Sequence, residues 1–292
     1  VSGTDSTAQF NTAYGLTALD AITTGDKNIA IGYGALGAST AVAETVAIGH
    51  LAGGTGVGTS GLNVIVGNEA AEAVTSMSEA VVIGYRAAEA NTSGSNIIAI
   101  GYLAYDAADT ENHNLALGNN ALGGSVAGGE YNVAIGNYTL DALTSGDGNV
   151  AVGYNAGTAN LTGAGNVTIG YLAGEDLTQG PNVIIGDEAA KNATTMNSCV
   201  FIGPHVADTG VITGDSSVVI GYNAGQDMTS SSNSVLIGYD AGNDVTTGTH
   251  LTVVGSSAYD GGATTENNNT AIGYNALGGA VNGGEYNVAV GN

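Results

Sequence analysis

A run of aliphatic, variable, aliphatic residues closed by glycine recurs from one end of the chain to the other. Val133-Ala134-Ile135-Gly136, Val167-Thr168-Ile169-Gly170 and Val183-Ile184-Ile185-Gly186 are three copies. The glycines are Gly15, Gly32, Gly49, Gly67, Gly84, Gly101, Gly118, Gly136, Gly153, Gly170, Gly186, Gly203, Gly221, Gly238, Gly255, Gly273 and Gly291, separated by 16, 17 or 18 residues. Alternation of period two predicts a short strand at each copy, with its outer Val and Ile on one face. That face is expected to point inward as a continuous aliphatic column. An unbroken period of this length predicts stacked coils rather than separate globular domains.

The other columns of the repeat fill in one coil. Three residues after the glycine stands Ala in 14 of 16 copies, from Ala18 to Ala276, which suits a narrow space between backbones. Four residues before it stands Asn in 10 of 17 copies: Asn11, Asn28, Asn63, Asn114, Asn132, Asn149, Asn166, Asn182, Asn269 and Asn287. Stacked once per coil, these amides are expected to form a structural ladder of hydrogen bonds. Turn formers such as Thr144-Ser-Gly-Asp-Gly-Asn149 complete the coil. Leu143, Leu177, Met228 and Val245, just ahead of such turns, are expected to be further inward anchors.

Each coil is thus expected to run strand, glycine turn, second short strand, polar turn. The fold class that follows is all-β: one continuous parallel β-solenoid over residues 1–292, of about 17 coils of about 17 residues. At the usual strand spacing it would be about 75–80 Å long. A second, longer echo is present. Residues 119–137 return at 274–292 with 15 of 19 positions identical, which points to growth by block duplication. The chain starts without Met and stops inside a motif copy, so it reads as part of a longer fibre.

Composition narrows the function. With 49 Gly, 2 Pro, 2 Phe and no Trp there is little bulk for a thick core. The charge is −23, from 26 acids against Lys27, Arg86 and Lys191. Nucleic acid and anionic membranes both require clustered cations, which this chain lacks. No apolar run is long enough to insert into a membrane. Ca²⁺ at acidic turns is compatible with the charge, but no recognisable calcium loop specifies a site, and no other cofactor is implied. The single cysteine, Cys199, beside Val200-Phe201-Ile202, is expected to be a buried structural thiol.

Enzymatic readings fare poorly. Aliphatic-Gly-x-x-Ala-x is the hexapeptide phrase of acyltransferase β-helices, but those need three copies per coil and a histidine base. Here one copy occurs per coil, and His50, His113, His205 and His250 occupy scattered positions. A polysaccharide hydrolase needs a carboxylate pair. Glu111, Glu130, Asp176, Glu266 and Glu285 all fall in repeat turns, and Glu130 and Glu285 are copies of each other. A regular Thr-x-Thr column, as an ice-binding face would need, is absent. What stands out is Tyr directly after the glycine, at Tyr33, Tyr85, Tyr102, Tyr154, Tyr171, Tyr222, Tyr239 and Tyr274. These are expected to form an exposed binding or inter-chain stripe.

The phrase Asn-Val/Thr-Ala-Val/Ile-Gly-Tyr-Asn-Ala-Gly/Leu, at 149–157 and 269–277 with a variant at 114–122, resembles two related groups of repeats. One is the head of trimeric autotransporter adhesins; the other is bacteriophage tail-fibre repeat proteins. The resemblance implies a left-handed β-roll, a homotrimer and attachment to a cell surface, with the chain as shaft or head. The overall expectation is a non-enzymatic extracellular, cell-surface or virion fibre. Its partners would be copies of itself, as trimer or end-to-end polymer, and a surface glycan or receptor. A self-assembling filament and a polysaccharide-degrading spike are the alternatives.

Overall fold

The structure, a computed structural model, describes residues 7–54, 61–107, 110–261, 265–279 and 283–292. It divides into two compact units, residues 1–148 and 149–292. Both are parallel β-solenoids, and the described residues contain no helix. The first unit runs from β1 (Thr12–Tyr14) to β8 (Val133–Ile135), the second from β9 (Val150–Val152) to β17 (Val288–Val290). Successive strands pair in register, as where β5 (Val81–Ile83) meets β6 (Ile98–Ile100) through Val81↔Ile98, Val82↔Ala99 and Ile83↔Ile100. Each coil contributes one strand of three residues, not two. The expected second strand is replaced by a run of turns after the glycine.

The face of the strand is the reverse of the expectation. The middle residue points inward: Ala30, Ala99, Val82, Phe201 and Leu236 are fully buried. The flanking aliphatics point outward, with Ile29, Ile31, Ile48, Ile83, Ile98 and Leu117 each 37–41% exposed. Volume decides this. The coil is thin, and the wall opposite the strand already brings in the Ala column and the residue after it. Two β-branched side chains per coil would not fit that gap, whereas one residue of adjustable size does.

The adjustment is visible in most coils, though Ala151 accompanies Gly157 and Val253 accompanies Tyr259. The strand's middle residue shares its space with the residue four after the glycine. Small Ala30, Ala99, Ala116 and Ala134 accompany buried Leu36, Tyr105, Leu122 and Leu140. Large Ile184, Phe201 and Leu236 accompany Ala190, Ala207 and Gly242. A methyl added to Gly242 would run into Leu236, and one added to Gly174 would lie 3.0 Å from both Ile184 and Thr168. Leu143, Leu177, Met228 and Val245 complete the interior and are at most 1% exposed.

The corner after the strand explains the glycine column. Gly118 sits at φ +144°, and a Cβ there would collide with the carbonyl oxygen of Gly136 in the next coil. Gly84 and Gly101 meet the same obstacle one coil on, as do Gly170, Gly186 and Gly221 in the second unit. Two residues later the chain is left-handed even without glycine, as at Arg86 (φ 53°), Leu103 (φ 52°) and Glu188 (φ 50°), and again two residues on at Tyr105 (φ 57°). Each such residue costs about 1–2 kcal/mol in isolation. The twist aims the amides along the stack. Leu103 N–H donates back to Tyr85 O at 3.0 Å, and Tyr105 N–H donates forward to Ala121 O at 3.0 Å.

The Asn column joins the opposite corner. Asn28, Asn63, Asn114, Asn132, Asn149, Asn166, Asn182 and Asn269 are at most 4% exposed, and Asn287 is partly buried. Their main partners are backbone groups rather than one another. Asn182 Oδ1 accepts from Cys199 N–H at 3.1 Å, while its Nδ2 donates to Met196 O at 2.9 Å. Asn63 makes the same clamp on Ala80 N–H and Met77 O, both at 3.0 Å. Direct amide-to-amide bonds also occur, as Asn132 Nδ2 to Asn114 Oδ1 at 3.3 Å. Where the column changes to Ser234, its hydroxyl accepts from Leu251 N–H at 3.2 Å.

The duplicated block carries its own polar plug. Buried Tyr105 accepts through its OH from Asn114 Nδ2 at 2.9 Å, and Tyr259 does so from Asn269 at 2.9 Å. Beside them Glu111 accepts from the N–H of Gly128 (2.9 Å) and of Thr110 (3.0 Å). Glu266 accepts likewise from Gly283 (2.8 Å) and Thr265 (3.1 Å). Burial drives the Tyr105 phenol well above its ordinary range. The Gly283 N–H, outweighing burial, holds the Glu266 carboxyl below its ordinary value of 4.5.

Two outcomes follow. Gly118→Ala should lower stability by about 3 kcal/mol or more, through strain and a backbone clash. Gly279→Ala, which meets nothing within 4 Å among the described residues, should change it by under about 0.5 kcal/mol. Thermal melts compare them directly. Because the Glu266 carboxyl is depressed, its contribution is present above pH 4.5 and lost as pH falls through its folded value. Glu266→Gln should therefore cost about 1–2 kcal/mol at neutral pH, and melting curves of the two proteins should converge in acid.

Candidate functional site: the aliphatic sheet face and the aromatic stripe

Strand alternation leaves each unit with a sheet whose outer face carries two aliphatic side chains on most strands; the strands with Thr12, Thr252 and Thr270 are the exceptions. In the first unit one column holds Ile29, Val46, Val64, Val81, Ile98, Leu115 and Val133, and the other Ile31, Ile48, Val66, Ile83, Ile100, Leu117 and Ile135. In the second unit the same two columns run from Val150 and Val152 to Val288 and Val290, with Thr252 and Thr270 interrupting the first. Lateral packing along each column half-covers most of these side chains. None of the interior strands puts a charged residue on this face. An apolar strip running across seven strands, about 29 Å at normal strand spacing, is more than a monomer surface ordinarily presents to water.

The tyrosines lie at the edge of that face, past the glycine corner. All eight are exposed: Tyr33 51%, Tyr85 41%, Tyr102 51%, Tyr154 44%, Tyr171 49%, Tyr222 44%, Tyr239 55% and Tyr274 64%. Where neighbouring coils both carry one, the rings stack. Tyr85–Tyr102, Tyr154–Tyr171 and Tyr222–Tyr239 have centroids 5.5, 5.6 and 5.5 Å apart with planes within 17°. His50 takes the same place after Tyr33, stacked at 5.3 Å, and Arg86 lies 5.8 Å above the Tyr85 ring. The stripe is therefore a set of flat aromatic pairs rather than an unbroken row.

Four of the five acids considered for catalysis have carboxylates held in structural bonds. Glu111 and Glu266 are buried plugs, as above. Glu130 accepts from Asn112 Nδ2 at 3.0 Å, and Glu285 accepts from Asn267 Nδ2 at 3.1 Å. Asp176 donates its backbone N–H to Lys191 O at 3.0 Å. Histidines take separate positions: His113 stacks on Tyr131 at 4.9 Å, and His250 Nδ1 lies 3.1 Å from Thr249 Oγ1. Cys199 is buried in the Asn column, and burial pushes its thiol up and away from thiolate.

A further row of polar side chains, not singled out by the repeat phrase, runs two and five residues past the glycine. It holds Glu69, Glu72, Arg86, Glu89, Asp106, Asp141, Glu188, His205 and Asp208. Burial raises the carboxyls of Asp106 and Asp141. Burial, then Glu69 and Glu89, raises that of Glu72. The signal was present as acids at a constant offset from glycine, but it is diluted by Leu, Asn and Gly in the same columns.

Comparison with known proteins adds no relative: no family model, curated protein or solved structure matches the chain.

If the stripe serves recognition rather than stability, Tyr85→Ala with Tyr102→Ala should lower the melting free energy by no more than about 1.5 kcal/mol, the size of one exposed aromatic pair. Chemical denaturation of the double variant checks this. A loss comparable with that from Gly118→Ala would make the stripe part of the scaffold.

Proposed function

We propose that the chain is a segment of a non-enzymatic extracellular fibre, of the kind found in phage tail fibres or bacterial surface adhesins. It assembles as a homotrimer through its aliphatic sheet faces. The observation that carries this reading is the outward pair of aliphatic residues on most interior strands. Such a face gains about 25 cal/mol for each Å² of apolar surface removed from water. A second copy of the chain offers a matching face with the same strand spacing, so the columns meet in register along their length. Three faces of this kind meeting around one axis leave the corners, and with them the tyrosine pairs, at the outside.

The tyrosine pairs then form the contact surface. Flat aromatic rings present a face on which the C–H side of a sugar ring can stack, and the neighbouring Asn and Asp offer hydrogen bonds to hydroxyls. A surface glycan is the partner this chemistry suits. Calcium is not needed for the reading. The backbone ladders and shared interior volume give the stiffness that an attachment fibre requires.

Sedimentation of the purified chain tests the assembly. A discrete trimer at micromolar concentration is expected, and Ile83→Asp with Ile98→Asp should dissociate it while leaving the far-ultraviolet spectrum unchanged. A wild-type chain that stays monomeric would overturn the trimer, and an open-ended polymer would favour a filament. Binding to a glycan array, lost in the Tyr85→Ala, Tyr102→Ala variant, is the matching test of attachment. Release of reducing sugar from a bound polysaccharide would instead favour the spike.

A further inference from the structure

Within the second unit, the coils carrying β11 (Val183–Ile185) and β12 (Val200–Ile202) bring three metal-ligating side chains together. Glu188 lies two residues past Gly186, His205 two past Gly203 and Asp208 five past it. One ligand atom from each lies within 4.8 Å of the other two. His205 Nδ1 and Asp208 Oδ2 are 2.9 Å apart. They are hydrogen-bonded to each other, and a tetrahedral ion bound at about 2.1 Å would part them to about 3.4 Å.

A second feature makes this more than a group of acids. The Asp208 side chain is 9% exposed, and its other oxygen, Oδ1, is shut off from solvent with no hydrogen-bond donor among the described residues. A buried carboxylate oxygen left unpaired is costly and calls for a positive partner. Lys191 is the sole Lys or Arg between 149 and 292. It makes a long ion pair with Glu188, Nζ to Oε2 3.9 Å, and does not reach Asp208 Oδ1.

In the first unit the same columns hold a cation in direct contact with two carboxylates. Glu69 and Arg86 lie two residues past successive glycines, and Glu72 and Glu89 five past them. There the guanidinium itself occupies the acidic seat, with Arg86 Nε 3.0 Å from Glu69 Oε2 and a terminal nitrogen 2.7 Å from Glu89 Oε1. In the second unit His205 takes the place of Arg86 in that column, and an imidazole supplies a donor atom where the guanidinium supplied charge.

We propose that Glu188, His205 and Asp208 bind a divalent transition-metal ion of the Zn²⁺ type, which ties the two coils together. The imidazole selects against Ca²⁺ and Mg²⁺, which prefer all-oxygen shells. Three protein donors leave the remaining positions to water, and the partial exposure of Glu188 and His205 gives the ion a way in. Its role is that of a staple rather than a catalyst: Glu188 belongs to one coil, and His205 and Asp208 to the next.

The test is calorimetric titration of the metal-stripped full chain with Zn²⁺, Ca²⁺ and Mg²⁺, alongside melting curves. One Zn²⁺ per chain and a raised melting temperature are expected, with no comparable effect of Ca²⁺ or Mg²⁺. His205→Ala and Asp208→Asn should each weaken Zn²⁺ binding at least tenfold, while Glu72→Gln in the first unit should not. Far-ultraviolet spectra establish that the variants are folded, and the milder His205→Gln provides a second reading. Absence of stoichiometric binding would overturn the site. So would Zn²⁺ binding unchanged in both variants, or Ca²⁺ bound as tightly as Zn²⁺ and lost with them.

Discussion

Each coil must hand its backbone N–H and C=O groups to the coils on either side, about 4.8 Å away, because the interior is too thin to hold water or many polar side chains. Most other features follow from that spacing. Glycine stands at the corner because any Cβ would strike the neighbouring carbonyl, as at Gly84 and Gly118. The left-handed residues that follow are tolerated because they turn amides such as Leu103 N–H along the stack. Asparagine fills the opposite corner because one amide can serve an N–H of the next coil and a carbonyl of the turn together, as Asn63 and Asn182 do.

The same spacing fixes what faces water. A coil that brings backbone so close on two sides has room for a single side chain per strand, and that side chain trades volume with its partner across the gap. Phe201 opposite Ala207 and Ala99 opposite Tyr105 are two settlements of one constraint. The Val and Ile on either side of the middle residue are left outside. An aliphatic outer face is thus a by-product of the narrow interior, and association between copies is a natural use for it. The polar row beyond the glycine is shaped similarly. Side chains one coil apart are forced into contact, so like charges must find a cation, whether Arg86 or a bound metal ion.

Much of this was legible in the sequence. The glycine period located every strand, and the period-two triplets gave their length. The direction of the strands was not legible, because alternation separates two faces without saying which is inner. The frequent Ala at the middle of the triplet was the available clue, since small residues suit thin interiors. Its force was hidden by Phe201 and Leu236, whose compensation at Ala207 and Gly242 requires knowing which columns touch. The tyrosine stripe was visible as a column, but its division into stacked pairs depends on ring geometry. The Glu188, His205 and Asp208 group was only faintly legible: its members fall at the same offsets past the glycine in adjacent coils, but those columns are diluted by Leu, Asn and Gly.

Thiol labelling tests the central claim, the outward aliphatic face, most directly. In a Cys199→Ala background, Val82→Cys and Ile83→Cys place a thiol on opposite sides of one strand. The account predicts that the thiol at position 82 reacts slowly at every protein concentration. The one at position 83 should react quickly in dilute solution and slow as concentration rises and the faces meet. Rapid reaction at 82 with protection at 83 in the dilute chain would contradict it.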